Sequence, residues 1–264
     1  MTIKYLKQEK STVRLIKAMA KSHDYGRGMK KVVIIINAEV SDRGKLICAS
    51  PVTQKMVEAL QRSIAECSPS SVVEIVSAAT LWSKNSRTND RDKDSETIYC
   101  PLTIQLPEYF EFPQQKIYSA CKDINSRRRW VEKLGFKTSV GDSWLGHLWL
   151  PIILCDRPVF AEVIGEGSMP NSYEHPVAIP NRQRKSLHSL AQQLLDSLDA
   201  PPATYLLQFS LYNGEIVFDR LWPFPAAPAL ITLKTQQPDL FTCHWHCLTD
   251  RSIADISISD AMAI

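Results

Sequence analysis

The chain has 264 residues, with 31 Lys and Arg against 28 Asp and Glu, a formal net charge of +3, 44% hydrophobic residues, 7 Cys and only 9 Gly. A chain of this size buries one large core or two modest ones, and its composition excludes collagen-like, low-complexity and disulfide-stapled miniprotein classes. No apolar run reaches the ~18 residues of a membrane-spanning helix and no secretory signal pattern opens the sequence, so the expected location is cytoplasmic.

Charge is uneven along the chain. Residues 1–31 hold nine basic side chains against two acidic ones, which leaves the other 233 residues at −4. This basic arm, assigned to 1–28, reads either as a solvated helix or as an arm for an anionic surface; no aromatic side chains interleave its lysines, and the acidic body argues against nucleic acid. From Lys31 the pattern turns to α/β. The run Val32–Ile36 predicts a strand buried on both faces of a parallel sheet, Pro51 opens a helix with Val52, Met56, Val57, Leu60, Ile64 and Cys67 inward, and Val72–Val76 is the next strand. Residues 83–97 are dense in charge and read as a surface loop before a strand over Ile98–Leu106.

The spacing of Ile117, Cys121, Ile124, Val131 and Leu134 predicts one helix over Gln114–Leu134, stopped at Gly135. Within it, Arg127, Arg128 and Arg129 point about 100° apart, so at most two could meet one anion, and a solvated face is the expectation. Strands follow at Pro151–Leu154 and Pro158–Ile164, then a helix over Arg182–Leu198. Asn213-Gly214 sits between two alternating apolar runs, the signature of a two-residue type I′ hairpin. That turn pairs Leu211 with Ile216, Phe209 with Phe218 and Gln208 with Asp219. It puts Leu207, Phe209 and Phe218 on one face and Gln208, Ser210 and Asp219 on the other. Downstream, Cys243-His244-Trp245-His246-Cys247 offers four metal-ligand types. Residues 239–248 alternate as a strand, which separates the cysteines from the histidines, so either His244 and His246 supply two ligands of a metal site or the segment is core.

Glycine stands at about half its usual ~7%, and the phosphate-cradling GxGxxG and GxxxxGK[ST] motifs are absent, as are GxSxG, HExxH and CxxC. The order of a helix, Lys122-Asp123, an amphipathic helix, Gly135-Phe136-Lys137-Thr138, the strand Pro158–Glu162, a glycine-containing turn, the helix ending Leu194–Leu198, and an Asn-Gly hairpin closing in Trp222-Pro223-Phe224-Pro225 resembles the ATP-grasp superfamily over residues 114–225. The resemblance implies an α/β fold: a parallel-sheet N-terminal domain at 29–113 and an ATP-grasp-like α+β domain at 114–264. It implies ATP and Mg as ligands, with the hairpin supplying the metal ligands. Asp219 then matches an acidic metal position, Gln208 stands where another acid is expected, Leu221 replaces an Asn, and Glu162 occupies the place of a phosphate-binding Lys under one alignment, while an alternative shift puts its strand elsewhere in the nucleotide clamp. Lys122, Glu162, Gln208 and Asp219 make up the implied cofactor-binding set. Two functions stay open. One is an ATP-dependent carboxylate–amine ligase with a reduced nucleotide site, weak or inactive, taking a small-molecule or nucleotide ligand. The other is a non-catalytic protein-binding or assembly factor.

Overall fold

The computed structural model describes residues 30–41, 44–83, 97–141, 146–253 and 255–259. The basic arm and most of the charged stretch at 83–97 lie outside them. Strand β1 (Lys31–Ile36) leads to a small hairpin, β2 (Glu39–Val40) and β3 (Leu46–Cys48), and helix α1 (Pro51–Cys67) returns the chain to β4 (Val72–Ser77). After the short α2 (Ala78–Ser83) the chain re-enters as β5 (Ile98–Pro101), giving a parallel sheet ordered β4-β1-β5. As the β-branched run predicts, β1 is central and Val32–Ile36 are buried. Ser50 caps α1, its hydroxyl accepting from the Thr53 N–H at 3.1 Å. Strand β5 is shorter than expected because its partner runs out: Leu102 N–H still donates to Ile35 O at 2.8 Å, and β1 ends one residue later.

The helix read as continuous over Gln114–Leu134 is two, α3 (Gln115–Lys122) and α4 (Ile124–Lys133). Asp123 breaks it. Its backbone leaves the helical region (φ −81°, ψ 73°) and its carboxylate accepts from the Ser126 N–H at 3.1 Å, starting a new helix in place of the old ladder. The chain then builds a larger sheet from β6 (Lys137–Thr138), β7 (Leu148–Leu154), β8 (Pro158–Phe160), β9 (Val163–Glu166), β10 (Tyr173–Val177), β11 (Ala203–Tyr212) and β12 (Glu215–Trp222). Its order is β10-β9-β7-β11-β12-β6, with β8 on β7, antiparallel except at β12–β6. Helix α5 (Asn181–Ser197) packs on β12 and buries Leu187, Leu190, Ala191, Leu194 and Leu195.

Asn213 and Gly214 take φ of 51° and 76°, the left-handed pair a type I′ turn requires. Leu211 faces Ile216 and Phe209 faces Phe218 as the turn dictates, but the register then shifts, and Gln208 faces Arg220 instead of Asp219. Asp219 is thus the extra residue of a β-bulge.

Beyond the hairpin, α6 (Thr232–Thr235) and β13 (Gln236–Gln237) lead to α7 (Leu240–Leu248), and β14 (Ser257–Ile258) closes back on β13. Helix α7 occupies the segment whose alternation suggested a strand. Asp239 decides this: one carboxylate oxygen accepts from the N–H groups of Phe241 (2.9 Å) and Thr242 (3.1 Å), the other from the Thr242 hydroxyl at 2.9 Å. A helix apolar nearly all round must be buried on several sides, and α7 packs against α1, β7 and β11 at once. Replacing Asp239 by Ala should cost about 1–2 kcal/mol in urea unfolding, with a smaller loss for Asp239→Asn, which retains an acceptor.

Candidate functional site

Strand β12 cannot keep its ladder with β11 where Asp219 is inserted, so the side chain turns into the protein, where it is 0% exposed. One carboxylate oxygen meets the Arg128 guanidinium at 2.5 Å, with Arg220 at 3.5 Å, and the other accepts from the Gly146 N–H at 2.8 Å. Arg128 is engaged at all three of its nitrogens, donating also through Nε to Asp219 O (3.1 Å) and through Nη1 to Gly141 O (2.9 Å). The arginine run is therefore not wholly a solvated face: its middle member is buried, because α4 lies against β12 with that side inward. Gln208 completes the network. Its amide donates to Gly146 O at 2.6 Å and its carbonyl accepts from the Trp222 indole N–H at 2.9 Å. A Cβ at Gly146 would stand 2.7 Å from the Phe209 backbone, so only glycine lets this segment reach both groups.

The other two residues of the implied cofactor set stand elsewhere. Lys122 lines a cavity of about 420 Å³ with Leu106, Phe112 and Tyr118, donates to Leu106 O at 3.3 Å, and lies 5.6 Å from the centre of the Trp82 ring. Glu162 lines a separate cavity of about 890 Å³ between the β7–β8 turn and Ser252, Ile253, Asp255, Ile256 and Ile258, and accepts two bonds from Arg184 at 2.9 and 3.0 Å. The structure thus joins Gln208 and Asp219 and leaves Lys122 and Glu162 in two other places. Arg128 and Gly146, which hold the centre together, carry no sequence signal beyond a charge in a charged helix and a glycine in a glycine-poor chain.

This arrangement fits poorly with a hard divalent cation. Mg²⁺ bound with phosphates needs one or two carboxylates able to face it, whereas Asp219 has both oxygens engaged inside the protein and two guanidinium groups beside it. Among the described residues no group of three or more His, Cys, Asp and Glu could hold a metal ion. His244 and His246 point to different partners: His244 Nδ1 accepts from the Thr204 N–H at 3.1 Å, and His246 Nε2 contacts Cys67 Sγ at 3.3 Å. Burial holds the His244 imidazole down to about 3, and it lowers His175, His188 and His246 in the same direction.

The two sheets and the closing hairpin are those of the ATP-grasp fold. No family model matches the sequence. The structure is similar to N5-carboxyaminoimidazole synthetase from Staphylococcus aureus complexed with ADP, at 9% identity and a TM-score of 0.62, over 89% of this chain and 82% of that one. It is also similar to glycinamide-RNase-transformylase T from Mycobacterium tuberculosis, at 12% identity and a TM-score of 0.58, over 85% and 80% of the two chains. A stretch of 106 residues is 24% identical to formate-dependent phosphoribosylglycinamide formyltransferase from Haloquadratum walsbyi. That stretch spans 39% of this chain and 26% of that relative. At such low identity the structural likeness shows the fold alone.

Two outcomes test the buried network. Asp219→Asn leaves Arg128 buried without its countercharge and should lower stability by roughly 3–5 kcal/mol in urea unfolding. The second concerns pH: His244 is neutral in the fold and protonated once unfolded below about 6.5. The unfolded state then binds more protons, so stability rises with pH and is lost as pH falls from 6.5 toward 3. Urea midpoints at pH 7.5 and 5.0 should show this fall, and His244→Asn, which keeps an acceptor for Thr204, should make it shallower, the remainder coming from His175, His188 and His246.

Proposed function

We propose that this protein is a non-catalytic binding protein built on the ATP-grasp fold, its nucleotide corner closed by an internal ion pair. The observation that carries this reading is the fully buried Asp219, with Arg128 on one carboxylate oxygen and the Gly146 N–H on the other. The hairpin corner that the resemblance assigns to Mg and ATP is filled by protein donors. No carboxylate there is left to hold a metal against developing phosphate charge, which is the main task of such a site. In this reading residues 29–113 and 114–264 are two units in contact through α7. The cavity beside Glu162 is the place for a small-molecule ligand: its volume lies in the range of ligand sites, and it combines Ile153, Phe160 and Ile256 with the charged Asp156, Arg157 and Glu162.

Calorimetric titration of the full chain with Mg-ATP and with Mg-ADP tests the reading. The expected result is no saturable heat up to millimolar nucleotide and no nucleotide-dependent rise in melting temperature. Binding at micromolar nucleotide that requires Mg²⁺ would restore the ligase reading, and the ATP-dependent ligation of an amine to a carboxylate would then be the activity to assay.

A further inference from the structure

Helix α7 places Cys243 and Cys247 one turn apart, and the end of β7 brings Cys155 to the same side of it. Cys155 Sγ and Cys247 Sγ are 2.9 Å apart although 92 residues separate them in the chain. That leaves no room for a third group between the sulfurs, and it is about 0.9 Å more than a disulfide bond length. The two thiols differ in access. Cys247 is 4% exposed, whereas Cys155 is half-buried and lines the 890 Å³ cavity beside Arg157. A small oxidant entering that cavity therefore meets Cys155 first.

We propose that Cys155 and Cys247 form a reversible disulfide when the protein meets a peroxide, with Cys155 the attacking thiol and Cys247 the resolving one. The Cys155 thiolate attacks one peroxide oxygen, the O–O bond breaks, and the products are a sulfenic acid on Cys155 and one water. Cys247 then loses its proton and attacks the Cys155 sulfur, displacing the hydroxyl as a second water. Two thiols and one hydrogen peroxide thus give one disulfide and two waters, and a dithiol reverses the bond by exchange. Burial raises both groups, so the reaction is slow and needs sustained oxidant. Cys243 competes less well: it is fully buried and its sulfur lies 3.5 Å from Pro238 O.

The bond would fasten α7 to the larger sheet. Because the same helix reaches α1 through Thr242 to Ser63 (2.9 Å) and its C-terminal cap through Trp245 to Ser68 (3.3 Å), the crosslink would also fix one sheet relative to the other.

The test exposes the full chain to hydrogen peroxide, blocks remaining thiols with N-ethylmaleimide under denaturing conditions, and maps peptides without reduction. The expected result is a linked peptide pair containing Cys155 and Cys247, lost on treatment with dithiothreitol. A rise in melting temperature of roughly 5 °C or more should accompany it, because a long loop is closed. Cys155→Ser and Cys247→Ser should each abolish both effects; should either variant fail to fold, the wild-type peptide map decides alone. Recovery of both residues as blocked thiols, a Cys243–Cys247 link, or sulfinic acid at Cys155 would overturn the proposal.

Discussion

A carboxylate removed wholly from water has to be neutralised inside the protein, and the rest of the C-terminal sheet is arranged around that requirement at Asp219. Leaving one member of a buried pair without the other costs several kcal/mol, more than the net stability of many single contacts. Arg128 therefore has to come inward, which fixes the rotation of α4 against β12. Gly146 must pass against the β11 backbone closely enough to offer its N–H, and Gln208 must turn its amide to the Gly146 carbonyl instead of to an external ligand. The bulge, the helix orientation and the glycine are consequences of one buried charge. An isolated pair of this kind adds little net stability, but it strongly penalises any arrangement in which its parts separate.

Helix α7 imposes the second constraint, because it is covered on more than one side. It packs on α1 of the smaller sheet's layer and on β7 and β11 of the larger one. Its side chains suit those surroundings: Trp245 and Phe241 fill volume, while His244 stays neutral and accepts from the strand through one ring nitrogen. The same burial that keeps the imidazole uncharged raises the thiols of Cys243 and Cys247. What looks in the sequence like a string of metal ligands is packed as core among the described residues, with His244 Nδ1 directed to Thr204, His246 Nε2 to Cys67 and Cys247 to Cys155.

The likeness to enzymes that the names of the structural neighbours describe is a likeness of backbone, at 9–12% identity. Backbone similarity at that level survives wide replacement of side chains, and chemistry resides in the side chains. Here the positions that the resemblance assigns to a metal and a nucleotide hold an amide bonded to its own fold and a carboxylate bonded to an arginine.

The sequence by itself determined the elements whose signals are local. The β-branched run at Val32–Ile36, the Pro51 helix start and the Asn213-Gly214 turn depend on neighbouring residues alone, and all three are found where the sequence places them. The ATP-grasp resemblance was legible for the same reason, since it rests on the order of such elements. Of the candidate site, Gln208 and Asp219 could be read as neighbours, but their partners could not. Only the tertiary structure decided that Asp123 splits a helix and that Asp239 converts an alternating segment into one. It also decided that a bulge turns Asp219 inward and that Arg128, 91 residues away, neutralises it. A side chain's protonation, partner and exposure depend on what is packed against it from distant parts of the chain, and periodicity along the sequence carries no record of that contact.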